Sequence, residues 1–220
     1  MRRYFNTEGW CKPDRHYMVR LDERLDRIKR LYVDKGKYFI INRGRQYGKT
    51  TTLKALAEYL KDDYIVIAMD FQLMSNANFA DEQTFVIKFI NYMEDLFSEQ
   101  EMFREKMDAE AFNNLIFLKE KEEVSIDMLF RGLSKLCGAS EKPIVMIIDE
   151  VDSVSNNQVF IDFLAMLRGY YLGREEKAAF HSVILAAVYD IKNLKLKIRS
   201  DKEHRYNSPW NIAAKFNIDM

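Results

Sequence analysis

The sequence predicts an α/β fold of three layers, with helices on both faces of a parallel central sheet. Three observations carry that prediction. Four short, unbroken apolar runs have the length and composition of strands buried on both faces: residues 38–41, 64–70, 143–150 and 182–188. Segments with apolar residues at helical spacing stand between them, so strand and helix alternate as a parallel sheet requires. The first run also passes straight into a glycine-bearing turn that opens a helix.

Residues 1–20 are aromatic-rich and irregular, with Tyr4, Phe5, Trp10, His16 and Tyr17 spread among polar neighbours, and read as an ordered arm. Over 21–32, Leu21, Leu25, Ile28, Leu31 and Tyr32 recur at helical spacing, and Lys35-Gly36-Lys37 closes the helix on a glycine. Tyr38-Phe39-Ile40-Ile41 follows as the first strand. Helix 50–60 places Leu53, Leu56, Ala57 and Leu60 on one face, and residues 64–70 form the next strand. Residues 81–138 carry about three helices, one with Phe85, Phe89, Tyr92, Met93 and Leu96 in register, and read as a helical insertion. The strand at 143–150 ends in Asp149-Glu150. An apolar helix with Val159, Phe160, Phe163, Leu164, Leu167 and Tyr171 separates it from the strand at 182–188, and a weak fifth strand is expected near 216–218. Pro13, Pro143 and Pro209 fall at element boundaries, so residues 21–220 read as one core.

The 34 basic and 34 acidic residues cancel, so no global field points to nucleic acid or an anionic membrane. Cys11 and Cys137 are far apart and lack the spacing of a disulfide framework or a zinc site. Basic Met1-Arg2-Arg3 is followed by Asn6, Thr7 and Glu8 where a secretory signal would need an apolar run. The longest apolar stretches fall far short of the roughly 18–20 residues that cross a bilayer. A cytoplasmic protein with reduced thiols is the expectation.

The chemistry concentrates in the turn after the first strand. A phosphate-binding loop needs glycines, so that backbone N–H groups can curl around anionic oxygens, and a lysine to meet the terminal phosphates. Gly48-Lys49-Thr50 supplies that core between a strand and a helix. The usual first glycine of G-x-x-x-x-G-K-Ser/Thr is Arg43 here, with Gly44 one residue later. For a bare G-x-x-x-G-K string, a plain strand-to-helix turn is the better reading. The strand before, the helix after and a second strand ending Asp149-Glu150 reverse it and point to Mg-ATP. Thr50 would ligate Mg²⁺ directly and Asp149 through water, leaving Glu150 as the base that polarises an attacking water. The bland alternative makes Asp149, Glu150 and Asp152 an acidic helix start.

These residues resemble a family. Phe5-Asn6-Thr7, His16-Tyr17-Met18-Val19, Asn42-Arg43-Gly44-Arg45-Gln46-Tyr47-Gly48-Lys49-Thr50-Thr51, Ile147-Ile148-Asp149-Glu150-Val151-Asp152, Ser182-Val183-Ile184-Leu185 and Ser208-Pro209-Trp210-Asn211-Ile212-Ala213 are similar to the AAA-like ATP-binding proteins of bacteria and archaea. Those are P-loop NTPases of the additional-strand-catalytic-glutamate division, related to archaeal and STAND-type ATPases. The resemblance implies a sheet ordered 5-1-4-3-2, nucleotide contacts along Arg43, Gly44, Arg45, Gln46, Tyr47, Gly48, Lys49, Thr50 and Thr51, catalytic roles for Lys49 and Glu150, and ATP hydrolysis used as a conformational switch. It also implies a homo-oligomer or a fused or separate effector as partner. Such proteins usually continue into a helical lid, which would begin where this chain ends, at Met220. His16 and Tyr17 are placed to flank an adenine or to pack as a plain aromatic arm. Tyr189, Asp190 and Asn193 stand where a polar sensor or a strand-end turn would be, and Arg168 and Arg174 where an arginine finger or a surface arginine would be. Residues 192–205 mix both charges and read as a solvated face.

Rival readings differ in kind. A nucleotide-dependent interaction module would bind ATP with little hydrolysis, a phosphotransferase would need an acceptor pocket, and a DNA motor would need a basic surface.

Overall fold

The computed structural model describes residues 2–6, 9–42, 44, 47–99, 101–188 and 214–216. Strands β1 (Tyr38–Asn42), β2 (Ile65–Asp70), β3 (Ile144–Asp149), β4 (Ser182–Ala187) and β5 (Ala214–Phe216) form one sheet. Their order is β2-β3-β4-β1-β5, and every pairing is parallel. This is the order 5-1-4-3-2 read from the other edge, and the fifth strand lies slightly ahead of its expected position.

Side chains alternate along each strand, which splits the core into two. On one face Phe39, Ile41, Val66, Val145, Ile147 and Ile184 pack under α1 (Asp22–Ile28) and α2 (Lys49–Leu60) through Leu25, Ile28, Leu53, Leu56 and Leu60. On the other face Ile40, Ile67, Met146, Ile148 and Leu185 meet α3 (Glu82–Glu99), α5 (Ala109–Ile116), α6 (Ile126–Ala139) and α7 (Gln158–Leu172). Phe163 on α7 is the hub of that second core, with ring centroids of Phe85, Phe89 and Phe130 at 5.3, 5.7 and 5.4 Å.

Among the described residues, the segment between β2 and β3 is helical over α3, α4 (Glu101–Lys106), α5 and α6, as an inserted set of helices requires. Polar caps make the divisions: Asp108 accepts from the Ala111 amide at 2.7 Å at the start of α5, and Ser125 caps α6. The first helix also departs from expectation. Past Ile28 it widens into a π-helical turn over Lys29–Val33, with the Asp34 amide bonded to the Lys29 carbonyl at 2.8 Å. Gly36, at φ +59°, then redirects the chain into β1.

The described residues of the arm bond to one another and to α2. Tyr4 and His16 form a parallel bridge, and the Tyr17 amide donates to the Tyr4 carbonyl at 3.0 Å. The Cys11 amide donates to Thr51 Oγ1 at 3.1 Å, which fixes the arm to the first turn of α2. Trp10 lies between the ammonium groups of Lys12 and Lys54, at 4.7 and 4.5 Å. Among the described residues, no helix is long and apolar enough to cross a membrane.

Candidate nucleotide site

The C-terminal edge of a parallel sheet is where chain direction and topology leave an open crevice, and here it collects the charged residues. β1 ends at Asn42, and α2 begins seven residues later at Lys49. Gly48 is the cap of α2 and adopts φ +71°, a left-handed conformation that costs an L-residue about 1–2 kcal/mol. Among the described residues no side chain caps this helix, and no acid lies in its first turn, so its N–H groups and positive dipole end suit an anion.

Lys49, the first residue of α2, is only 6% exposed. Its Nζ lies 3.0 Å from Glu150 Oε1 and 3.8 Å from Asp149 Oδ1, yet no acceptor among the described residues meets it in hydrogen-bond geometry. A buried ammonium with unused donors is poorly satisfied by one oblique carboxylate, and the donors suit phosphate oxygens.

Asp149 ends β3 at 6% exposure. Thr50 Oγ1 donates to its Oδ2 at 2.7 Å across 99 residues of sequence, and the Glu150 amide donates to its Oδ1 at 2.9 Å. Burial pushes the Asp149 carboxyl above the ordinary range, while the Thr50 hydroxyl and the Lys49 charge pull the other way. A hydroxyl paired with a buried carboxylate beside a lysine is a donor set that fits Mg²⁺ together with phosphate oxygens.

Glu150 has φ +54°, which makes it the one non-glycine residue with a left-handed backbone among those described. Such conformations persist where surrounding structure enforces them and gather at functional sites. Ser153 supplies part of that enforcement, its amide and its hydroxyl both donating to the Glu150 carbonyl at 3.1 and 2.7 Å. The carboxylate comes to rest against Lys49, and its side chain is 30% exposed. A cleft of about 490 Å³ opens beside Thr50 and Asp149 and runs along α2 over Val66, Ala68 and Ile147.

The family model of an AAA-like domain matches residues 14–217. The chain belongs to the AAA-like domain family. Its fold is that of a nucleotide-binding AAA-type ATPase. Among solved structures, this AAA-like domain is similar to one titled "Structure of the Aeropyrum Pernix ORC2 protein (ADPNP-ADP complexes)", at 15% identity and a TM-score of 0.46. The match covers 82% of this chain and 44% of that one, so the domain spans less than half of that protein. No curated protein matches the sequence.

Lys49, Thr50, Asp149 and Glu150, expected to act together, are together. Gly44 and Tyr47 are in contact, since a Cβ on Gly44 would lie 3.3 Å from the Tyr47 ring, and that ring is largely exposed. Arg43, Arg45 and Gln46 lie outside the described residues, as do Tyr189, Asp190, Asn193 and residues 192–205. Thr51 accepts the Cys11 amide on its hydroxyl, a contact with the arm.

The arginines are elsewhere. Arg174 Nη1 donates to the Gly36 carbonyl at 2.6 Å and its guanidinium covers Tyr171, which ties it to the N-terminal edge of the sheet, opposite Lys49. Arg168 lies in the later turns of α7, its Nε buried without a hydrogen-bond partner among the described residues.

Two further acids stand at the site, one without a role in the sequence reading and one read only as a helix-start charge. Asp70 ends β2 and is paired in register with Asp149. Asp152 accepts a hydrogen bond from the Val188 amide. Asp70 ends an apolar run just as Asp149 does, and that shared signal could have found it. Nothing in the sequence marks the Val188 amide.

Proposed function

We propose that this AAA-like domain binds Mg-ATP and hydrolyses it to ADP and phosphate, serving as a conformational switch for an effector or a second subunit. The observation that carries the reading is the buried, under-satisfied Lys49 ammonium set between Asp149 and Glu150, beside the Thr50–Asp149 hydrogen bond.

The segment from Arg43 to Thr51 would wrap the phosphates, with backbone N–H groups of the first turn of α2 and the Lys49 ammonium meeting the terminal oxygens. Thr50 and Asp149 would hold Mg²⁺, which neutralises charge on the β- and γ-phosphate oxygens when bound. Phosphate oxygens arriving at Lys49 compete with Glu150 for the same ammonium and release the Glu150 carboxylate. Glu150 then takes a proton from a water whose oxygen bonds to the γ-phosphorus, while the bond from that phosphorus to the β–γ bridging oxygen breaks and ADP leaves.

A nucleotide-dependent interaction module with little hydrolysis is the second reading, and one observation favours it: the base is paired with Lys49 rather than free. Both readings need Lys49 for binding. Lys49→Ala should weaken ATP binding roughly 10- to 100-fold, the range set by one or two lost charge-assisted hydrogen bonds, with an unchanged far-ultraviolet circular dichroism spectrum. Titration calorimetry reads the affinity, and a folded variant that binds ATP like the wild type would overturn both readings.

A further inference from the structure

We propose that Asp152 is a positioning residue for Glu150: its carboxylate clamps the turn after β3 to the exit of β4 and so fixes where the Glu150 side chain can reach. The inference rests on the hydrolysis reading above and deepens it.

Glu150 opens a single 3₁₀ turn, Val151–Val154, that leaves the sheet at β3. From below, Val151 and Val154 are buried in the core under α7. From within, Ser153 binds the Glu150 carbonyl twice and Asp149 binds the Glu150 amide. These contacts set the shape of the turn, but none ties its outer side to the neighbouring strand tip. Asp152 does, because Oδ2 accepts from the backbone N–H of Val188, the first residue beyond β4.

The consequence is geometric. β4 lies between β3 and β1, so the clamp spans the gap between the strand that carries Asp149 and Glu150 and the strand that neighbours the phosphate loop. A left-handed glutamate carries about 1–2 kcal/mol of backbone strain that other conformations of the short turn would relieve, and such a change would move the carboxylate from its place at the strand tip. A displacement of about 1 Å of a group that must line up with an attacking water lowers turnover by as much as about 100-fold without touching the substrate.

The test compares the wild type with Asp152→Ala and Asp152→Asn in the same chain. Asparagine keeps a side-chain oxygen acceptor on a shape of equal size and should keep the clamp. Three quantities are read: single-turnover hydrolysis, Kd for Mg-ATP, and hydrogen-exchange protection of the amides of residues 150–153 and Val188. Expected for Asp152→Ala are a rate lower by about 10- to 100-fold, a Kd within about threefold of the wild type, and exchange faster at Val188 and in the turn together, with most of the rate restored in Asp152→Asn. A well-folded Asp152→Ala that hydrolyses at the wild-type rate, or whose Val188 amide exchanges no faster, overturns the proposal. A loss of binding and of rate in the same proportion overturns it too, since that marks general disruption. A wild type that binds but does not hydrolyse is a different result, and it removes the hydrolysis reading on which the proposal stands.

Discussion

At the scale of single residues, charge placement decides the behaviour. Lys49 sits between two carboxylates and binds neither well, which leaves its donors for the phosphate oxygens of the proposed triphosphate. At the opposite edge of the sheet, His181 shows a second consequence of burial. Its Nε2 is buried without a hydrogen-bond partner among the described residues, and desolvation, the largest effect, holds its pKa below the ordinary histidine range; the Val33 carbonyl opposes this, the Arg174 charge adds to it, and Asp34 opposes it least. The unfolded chain then takes up a proton on this residue before the folded one does. Stability from His181 is therefore fully present above the ordinary histidine pKa of about 6.5 and is lost as the pH falls from there to the lowered folded value. Urea unfolding of the wild type and His181→Gln at pH 7.5 and 5.5 checks this: the wild type should lose more stability between the two pH values than the variant, and an equal loss contradicts it. Lys49, Thr50, Asp149 and Glu150 were legible because each type stands where a strand or a helix begins or ends. The left-handed backbone of Glu150 and the Asp152 to Val188 bond were not, since a backbone amide 36 residues away carries no side-chain identity to read.

At the scale of elements, the sequence read best where periodicity was strong. All four long strands fall within a residue or two of their expected bounds, because a strand buried on both faces is an unbroken apolar run with polar punctuation. The helical segment after β2 was less legible: Asp108 and Ser125 are ordinary polar residues until their side chains are seen to cap α5 and α6. Two substitutions test the element-scale reasoning. Among the described residues, chain neighbours aside, no atom lies within 4 Å of the Cβ that Gly48→Ala would add, and the left-handed φ opposes the substitution. A cost of about 1–2 kcal/mol should lower Tm by roughly 2–8 °C, and an unchanged Tm would show that the loop adopts another conformation. Phe163→Ala removes the hub ring of the larger core and should cost about 3–5 kcal/mol in urea unfolding. A loss under 1 kcal/mol would mean that the neighbouring phenylalanines close over the space.

At the scale of the whole molecule, the sheet order brings the ends of β1, β3 and β4 to one edge and sends Arg174 and His181 to the other. Chemistry and scaffold are thus separated by the length of a strand. The arm belongs to the chemical edge, since Cys11 is bonded to Thr51, two residues past Lys49. That arrangement was half legible: the aromatic arm could be read as ordered, but not that a threonine of the loop motif would anchor it. The central claim is that Glu150 serves hydrolysis rather than binding, and it is tested by measuring ATP affinity and single-turnover rate side by side for the wild type and Glu150→Gln. The substitution keeps the shape and removes the anion that competes for Lys49, so Mg-ATP should bind as tightly or a few-fold tighter while hydrolysis falls by at least about 100-fold. A Glu150→Gln protein that hydrolyses ATP at the wild-type rate would contradict the claim and leave Glu150 as a partner of Lys49 alone.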